Sequence, residues 1–402
     1  MKTMTPEQAG LDPEVLAGLD KLIGPRIGND AARKQIPGLG VRVIRKGAAV
    51  YDRYFGFKDA EASSPMSEDT IMYLYSMTKP VTAVAALKLF ERGEFTLNTP
   101  LKEFIPAFSS MNVLKTLEGD AMDTVVAKTD ITVKHLFTMT SGIAYGLRPD
   151  SDKLDALVAS LFRPGPDGAL MDTAEDPIAE VASFPLAFEP GTDYRYGLSH
   201  DVLGRVIEIV SGMRLSEFMQ KEIFDPLGMK DTGFGITGAQ LPRLAKIYRY
   251  DGEAREHWPG LVNPTDEGAF ESGGGGLVST AEDYSRFLAM LAAGGAYEGE
   301  RILGRKTVAL MARNHLNEKA LASFRRGAEG YGYGLGVRTL MDPAAAGMNG
   351  SVGEFGWSGM AGTWMMVDPA EDLSFLFMIQ AFPSDYFDLR RKCVQIAYSA
   401  LK

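Results

Sequence analysis

Apolar and polar residues alternate near both ends of the chain and follow a helical period between them. Residues 38–57 alternate on either side of Lys46 and Gly47, which predicts two antiparallel strands joined by a tight turn. Three short apolar stretches near the other end predict further strands, and they span residues 331–340, 362–369 and 373–382. A helix is predicted to follow from about Tyr386. Together these segments predict one sheet assembled from the two ends of the chain.

Helical periodicity predicts three well-defined helices elsewhere. The first covers residues 7–24, and the second runs from Ser76 to about Gly93, where glycine is a stop signal. The third covers residues 279–295, because a Ser/Thr pair, an early glutamate and a closing glycine pair are typical helix boundaries.

The remaining patterns place a helical region between the two groups of strands. From about residue 100 to residue 235 helical patterns predominate, interrupted by a loop rich in proline and glycine at 162–170. The predicted fold class is α/β, of the α+β kind: helices flank an antiparallel sheet from the N- and C-terminal segments, and a mostly helical lobe is inserted. We assign residues 1–80 and 236–402 to the sheet lobe and 81–235 to the helical lobe, with the active site between them.

Composition excludes several classes of partner. The chain has 402 residues, 45% of them hydrophobic, and a formal net charge of −10, which argues against nucleic acid because phosphate recognition needs a basic surface. Cys393 is the one cysteine, so no disulfide within the chain can form, and we expect this thiol to pack in a terminal helix. No apolar run resembles a signal peptide or is long enough to cross a bilayer, so we expect a cytoplasmic protein without a membrane partner.

Metal and nucleotide chemistry find no support in the sequence. The four histidines lack metal-site spacing, so neither a metal nor another cofactor is expected: His135, His200, His257 and His315. The run "GGGGL" (273–277) lacks the spacing of a phosphate-binding loop and predicts a tight backbone approach or a flexible edge instead. No Gly-x-Ser-x-Gly elbow occurs, which counts against an ordinary α/β-hydrolase.

The pattern Ser-x-x-Lys occurs at the start of the second predicted helix. Residues at i and i+3 share a helix face, so the Lys79 amine can lie beside the Ser76 hydroxyl. A serine becomes a nucleophile when a base takes its proton, and a buried lysine can act as that base. The helix N-terminus adds partial positive charge and free N–H groups for an oxyanion. The simpler alternative is that Ser76 caps the helix while Lys79 is exposed.

A second copy of the pattern shows that it also arises by chance. Ser399 and Lys402 have the same spacing at the C-terminal end of the sequence, with no predicted helix after them. We interpret this copy as a solvated tail. The pattern therefore predicts catalysis only where other segments supply partners.

Two segments carry groups that could act with the serine. In "FEPGTDYRYGLSH" (188–200), Tyr196 lies where a loop enters an amphipathic helix, and a tyrosine beside a lysine can relay protons. Tyr194 is the rival for this role, and either ring could instead pack as a wedge between helices. In "GEFGWSGMAGTWMMVDP" (353–369), small residues lead into an apolar strand, where the Met360 N–H could face an oxyanion. The alternative for this segment is a bulged strand end.

Together these segments resemble the serine β-lactamase-like superfamily, which includes class C β-lactamases, DD-peptidases and family VIII carboxylesterases. "SMTK" (76–79) and "FEPGTDYRYG" (188–197) match two family landmarks. Three further segments are similar to landmarks and stand in the family's order: "ITVKHLFTMTSG" (131–142), "IFDPLGMKDTGF" (223–234) and "GGGGLVSTAEDYSRF" (273–287). The resemblance covers most of the chain and implies a β-lactamase/transpeptidase-like fold. The Ser-Asp-Asn and Lys-Thr-Gly boxes of a sister class do not occur.

The resemblance implies a role for each matching residue. Ser76 takes the position of the acylated nucleophile, Lys79 that of its base partner, and Tyr196 that of the family tyrosine. The backbone N–H groups of Ser76 and Met360 are expected to form the oxyanion hole. The third family box is taken by three residues that are expected to border the substrate: Trp357, Ser358 and Gly359.

Two departures from the family pattern indicate the substrate. In β-lactamases and peptidases the tyrosine box includes an asparagine that holds the acyl amide, whereas Leu198 stands here. Their third box begins with a lysine or histidine that meets a carboxylate, whereas Trp357 stands here. The loss of both polar contacts implies slow β-lactam turnover and an apolar site for the acyl group or the alcohol. A tryptophan in the third box also resembles the esterase branch of the superfamily. Tyr145 is a further candidate for the pocket lining.

The resemblance therefore implies a serine carboxylesterase whose partner is a small or medium acyl ester. Ser76 would form an acyl-enzyme, with Lys79 and Tyr196 as general base and acid. One alternative is an acyltransferase, amidase or β-lactam hydrolase on the same scaffold, because these reactions share the acyl-enzyme. Another is a catalytically silent ligand-binding protein, although the presence of all three polar side chains argues against it. The sequence indicates no oligomeric state.

Overall fold

The structure is a computed structural model, and it describes residues 1–28, 35–118, 121–146, 153–164, 170–172, 177–250, 255–258, 270–382 and 388–402. Its α-helices are α1 (Pro6–Ala9), α2 (Pro13–Leu16), α3 (Gly18–Ile23), α4 (Thr78–Glu91), α5 (Val133–Phe137), α6 (Lys153–Val158), α7 (Pro177–Val181), α8 (Ser199–Ser211), α9 (Leu215–Met219), α10 (Asp225–Leu227), α11 (Ala281–Ala292), α12 (Arg305–Met311), α13 (Glu318–Arg325), α14 (Pro343–Ala346) and α15 (Leu389–Ser399). Its strands are β1 (Gly38–Arg45), β2 (Ala48–Asp59), β3 (Ser64–Pro65), β4 (Met72–Tyr73), β5 (Asn112–Glu118), β6 (Ala121–Val126), β7 (Phe162–Pro164), β8 (Leu170–Asp172), β9 (Ile247–Tyr250), β10 (Arg255–Trp258), β11 (Val278–Ser279), β12 (Ala296–Tyr297), β13 (Glu300–Arg301), β14 (Tyr331–Tyr333), β15 (Arg338–Leu340), β16 (Phe355–Ser358), β17 (Trp364–Asp368), β18 (Leu373–Ile379) and β19 (Ala381–Phe382).

The main sheet joins the two ends of the chain, as predicted. Within the described residues, its eight strands follow the order β14-β15-β16-β17-β18-β1-β2-β3. Strand β1 pairs antiparallel with β18, so that Val41 lies opposite Phe377. The predicted turn between β1 and β2 has Lys46 at φ 53° and Gly47 at φ 69°, and two left-handed residues suit the twist of a two-residue hairpin.

Both faces of this sheet are covered by helices, which explains why every residue of β18 is buried and all but Ser374 are apolar. Phe375 and Phe377 point into a core shared with α2, α3 and α15, whereas Leu376 and Met378 point into a second core shared with α4, α8 and α11. This alternation follows from the two-residue period of a strand. Cys393 lies in the first core as the predicted packed thiol, and burial raises its pKa to about 12.

The single helix predicted over residues 7–24 is wrong, because local signals divide it. Gly10 ends α1 with φ at 77°. Asp12 then caps α2 by accepting hydrogen bonds from two backbone N–H groups, and Pro13 takes the first helical position. Leu16, Leu19 and Ile23 are buried, whereas Val15 is 38% exposed, so the apolar period holds in part and the caps set the helix boundaries.

Three further elements differ from their predictions. The strand predicted over 373–382 is divided into β18 of the main sheet and β19, which pairs with β9 in another sheet. Within the region predicted to be mostly helical, β5 and β6 form an antiparallel pair, and a register shift between Leu114 and Thr116 breaks the alternation that would reveal it. The strand predicted over 331–340 is the pair β14 and β15, with Gly336 at φ 80° between them. The predicted helix start at Tyr386 lies outside the described residues, which include α15 from Leu389.

Helix α4 runs through the middle of the second core. Its residues from Thr78 to Leu87 are all buried, and it packs against α8. Ser76 precedes it in the 3-10 turn Tyr75–Met77, so the serine leads into the helix instead of lying in its first α-helical turn. The predicted lobe boundary at residue 80 falls inside α4, and the division into lobes stays a prediction. Among the described residues, none of the helices has the length and apolar character that a membrane span needs.

Candidate active site

Ser76 is presented by a turn whose backbone is held in an uncommon conformation. Tyr75 has φ at 45°, in the left-handed region, and such a residue costs on the order of 1–3 kcal/mol, which its surroundings have to offset. The Tyr75 ring stacks on Tyr73 with 5.8 Å between ring centres. The preceding carbonyl, of Leu74, accepts a hydrogen bond from the Thr363 hydroxyl at 3.2 Å. These contacts hold the turn in place.

Lys79 and Tyr196 both reach the Ser76 hydroxyl. The Tyr196 hydroxyl donates to Ser76 Oγ at 2.7 Å, and Lys79 Nζ donates to the same oxygen at 3.3 Å. Nζ also lies 4.6 Å from the centre of the Tyr196 ring. Lys79 is 0% exposed, so the alternative of an exposed surface lysine is wrong. The structure thus brings together the three side chains that the sequence singled out.

The glycine-rich loop supplies a second partner for Lys79. Nζ donates to the Gly274 carbonyl at 2.6 Å. A methyl group at Gly274 would come within 2.4 Å of the Asp201 carboxylate, and one at Gly273 within 2.5 Å of the His200 carbonyl. Only glycine allows this approach, which confirms the predicted tight backbone contact. The sequence analysis did not predict the hydrogen bond between Lys79 and the Gly274 carbonyl. The run of glycines was the signal that could have indicated it.

Two buried polar residues of α8 lie near Lys79 and were not predicted. Asp201 accepts hydrogen bonds from the Gly274 N–H at 3.1 Å and from the Ser272 hydroxyl, and burial raises its pKa. His200 is fully buried, and burial together with the Lys79 charge holds the pKa of its imidazole well below the usual value. Two buried titratable side chains therefore interact electrostatically with the Lys79 amine.

Aromatic rings hold the Tyr196 side chain from two sides. Trp357 stacks on it with 5.9 Å between ring centres, and Tyr145 packs edge-on at 5.3 Å. Tyr333 in turn packs edge-on against Trp357 at 5.1 Å. Such contacts restrict the phenol to a narrow range of orientations. Two of the predicted pocket residues, Trp357 and Tyr145, therefore adjoin the Ser76 site through Tyr196.

Tyr194, the rival of Tyr196, occupies a different environment. Its ring packs edge-on against Phe324 at 5.0 Å and against Tyr333 at 5.5 Å. Burial raises its pKa well above the usual value. Tyr194 thus forms the aromatic wedge that was the alternative for this segment, and Tyr196 is the tyrosine that meets Ser76.

The third family box lies against the turn that carries the serine. A methyl group at Gly359 would come within 2.3 Å of the Leu74 carbonyl oxygen, and the Gly359 N–H donates to the Thr363 carbonyl at 2.7 Å. This close approach joins the end of β16, and Met360 after it, to the Ser76 turn. The oxyanion role of the Met360 and Ser76 N–H groups stays a prediction.

Ser358 and Leu198 lie in other surroundings. Ser358 lines a cavity with Arg390 and Arg391, since neighbouring side chains of a strand point to opposite faces and Trp357 takes the face of Tyr196. Leu198 is 4% exposed and packs in the core that includes α4 and α8. Contact of either side chain with a substrate stays a prediction.

Comparison with known proteins identifies the family and the fold. The family model described as Beta-lactamase matches residues 19–397. Esterase EstB of Burkholderia gladioli is 33% identical over 364 residues, which cover 86% of each protein. Lovastatin esterase of Penicillium rubens is 33% identical over 367 residues, covering 84% of this chain and 86% of that protein. The solved structure of EstCE1, a hydrolase with promiscuous acyltransferase activity, superposes with a TM-score of 0.81 at 25% identity and covers 96% of this chain and 99% of its own.

These matches confirm the predicted superfamily with its esterase branch, and the superposition confirms the β-lactamase/transpeptidase-like fold. They also confirm the predicted enzyme class, a serine hydrolase. With a family model that matches almost its whole length, the chain belongs to the Beta-lactamase family.

Proposed function

We propose that the protein is a serine carboxylesterase that cleaves small to medium acyl esters through an acyl-enzyme on Ser76. The observation that carries this proposal is the hydroxyl of Ser76 within 2.7 Å of the Tyr196 hydroxyl and 3.3 Å of Lys79 Nζ. A serine in this position has two groups that can take up and return its proton.

Acylation uses these two groups in turn. Ser76 Oγ attacks the ester carbonyl carbon while its proton passes to Lys79 Nζ as the base, either directly or through the Tyr196 hydroxyl. The negative charge that develops on the carbonyl oxygen is stabilised by the N–H groups of Ser76 and Met360. When the bond to the alcohol breaks, Tyr196 protonates the leaving oxygen and recovers a proton from Lys79. The alcohol departs and the acyl group stays on Ser76.

Deacylation repeats the proton transfers with water. Water loses a proton to the Lys79 and Tyr196 pair as its oxygen attacks the acyl carbon. The bond to Ser76 Oγ then breaks, and the proton returns to that oxygen. The products are a carboxylic acid and the free enzyme, so the cycle closes without a cofactor.

Trp357 supports esters over β-lactams as substrates. Its indole stacks on Tyr196, at the position where the family resemblance would place a cation for a substrate carboxylate. An indole cannot neutralise a carboxylate, so a charged substrate would lose its hydration without gaining a partner. The relatives named Esterase EstB and Lovastatin esterase agree with this preference.

Acyl transfer to an alcohol is the second candidate. EstCE1, which shares the fold over 96% of this chain, is described as a hydrolase with promiscuous acyltransferase activity. Because both reactions pass through the same acyl-enzyme, the second nucleophile decides the product. Turnover of an ester in the presence of added alcohols, with the products separated by mass, distinguishes the two reactions.

The proposal is tested by comparing the two serines of the Ser-x-x-Lys copies. We expect Ser76→Ala to lower kcat/KM on short-chain nitrophenyl esters by roughly 10⁴-fold or more, because no nucleophile is left. Ser399→Ala is the matched control and should retain the full rate. The wild type should also gain the mass of one fluorophosphonate adduct, and the Ser76→Ala variant should not. Equal rates in both variants would contradict the mechanism, and an unlabelled, inactive wild type would indicate a silent binding protein.

A further inference from the structure

A single peptide group connects the buried carboxylate of Asp201 to Lys79. Asp201 is 5% exposed and lies in the first turn of α8. Its Oδ1 accepts a hydrogen bond from the Gly274 N–H at 3.1 Å. The carbonyl of the same Gly274 accepts the hydrogen bond of Lys79 Nζ at 2.6 Å. The position of the amine therefore depends on a glycine whose own position depends on Asp201.

The loop around Gly274 is fixed from several sides. The Ser272 hydroxyl donates to the same Asp201 oxygen, and a methyl group at Gly274 would come within 2.4 Å of the other oxygen. The Thr82 hydroxyl of α4 donates to the Gly273 carbonyl at 2.7 Å, which ties the loop to the helix that carries Lys79. A loop held in this way cannot shift without breaking buried hydrogen bonds, and such breaks are costly.

Asp201 also lies close enough to Lys79 for the charge of the amine to act on its carboxyl group. Burial raises the pKa of Asp201, and the Lys79 charge opposes that rise. Burial and the Lys79 charge together lower the pKa of His200, the other buried polar residue of α8 beside the amine.

We propose that Asp201 is a positioning residue that sets the place of Lys79 through the Gly274 peptide. The inference rests on the proposed function, because it takes Lys79 as the base for Ser76. It also explains why α8 follows the Tyr196 loop directly: one helix start then orders both partners of the serine.

A merely structural carboxylate offers a matched control. Asp283, which is 4% exposed, lies in the first turn of α11 and accepts hydrogen bonds from the Asp231 N–H at 2.6 Å and the Thr232 hydroxyl at 3.1 Å. Asp283 and Asp201 thus have the same burial, the same place in a helix and the same kinds of donor. They differ in that the Asp201 loop holds Lys79.

The experiment compares Asp201→Ala, Asp201→Asn and Asp283→Ala by kcat, KM and melting temperature, with one nitrophenyl ester as substrate. Asp201→Ala should lower kcat by about 100-fold with little change in KM, because Lys79 is misplaced. Asp201→Asn should restore kcat to within about fivefold of wild type, because asparagine keeps an oxygen that can accept from the Gly274 N–H. Asp283→Ala should lower the melting temperature and leave kcat unchanged.

The inference is overturned if Asp201→Ala keeps the wild-type kcat, or if Asp283→Ala lowers kcat equally. Either result would assign Asp201 to the fold alone. Failure of the proposed function gives a different result, since Ser76→Ala would then retain its rate and the wild type would form no fluorophosphonate adduct. The two failures are therefore separate.

Discussion

The chain contains the same Ser-x-x-Lys spacing twice, and the two copies have opposite surroundings. At the first, Lys79 is 0% exposed and the Ser76 oxygen receives hydrogen bonds from two side chains. At the second, Ser399 is exposed at the end of α15 and donates to the Gln395 carbonyl at 2.8 Å. Lys402 is 54% exposed on its side chain and pairs with the Asp12 carboxylate at 3.8 Å.

The difference shows that the spacing of serine and lysine does not by itself make the pair reactive. Both copies place a hydroxyl and an amine three residues apart, yet the second amine is solvated and its serine satisfies a helix carbonyl. The first copy acquires its chemistry from a tyrosine 120 residues away and a glycine carbonyl 195 residues away. Burial then strengthens the electrostatic interactions among these groups, because water screens them less.

Exchanging the amine at each copy gives the largest expected contrast. Lys79→Met should lower kcat/KM on a short-chain ester by about 10³-fold, because the base for Ser76 is lost. Lys402→Met removes an amine at the same spacing and should stay within about twofold of wild type. Steady-state assays of both variants at several pH values check this expectation. A loss of similar size in the two variants would mean that their surroundings do not matter.

The tyrosines that flank Arg195 sharpen the contrast at the level of partners. Tyr196→Phe removes the hydroxyl that donates to Ser76 and should lower kcat by about 10²-fold, because proton delivery to the leaving alcohol is lost. Tyr194→Phe keeps the ring in its aromatic cluster and should change kcat by less than about threefold. The comparison is made by stopped-flow or steady-state kinetics on one ester. A larger loss of kcat in Tyr194→Phe than in Tyr196→Phe would mean that Tyr194, and not Tyr196, relays the proton.

The smallest expected effect concerns the stability of the second copy. Ser399→Ala and Lys402→Ala each remove one exposed polar contact. The free energy of unfolding should therefore change by less than about 0.5 kcal/mol in either variant. Denaturant titration measures this difference. A loss above 1.5 kcal/mol, roughly the size of a buried contact, would show that the tail is part of the packed structure.

Local patterns predicted the parts of the fold that depend on neighbouring residues. The β1–β2 hairpin was predicted because alternation and the Lys46-Gly47 turn agree, and α11 because its capping residues flank an apolar face. The β5–β6 pair was missed because a bulge interrupts its alternation. The single helix predicted over 7–24 was wrong for a different reason. The apolar period there continues across the end of α1 and the start of α2, so it hides the boundaries.

The candidate site divides in the same manner. Ser76, Lys79 and Tyr196 were predicted from motif and resemblance, and the structure brings them together. Asp201 was missed because an acidic residue in the first turn of a helix is common and needs no function. Its contact with Gly274 depends on how a loop far along the chain packs against α8.

The sequence by itself determined the spacing of Ser76 and Lys79, the helix that follows them, and the tryptophan at the start of the third box. These features depend on backbone geometry and side-chain identity within a few residues. Only the tertiary structure decided that Lys79 is buried, that Tyr196 and not Tyr194 meets the serine, and that Asp201 holds the glycine loop. Contacts between distant segments form only where burial of the cores offsets the entropy of closing long loops, and no short stretch of sequence contains that balance.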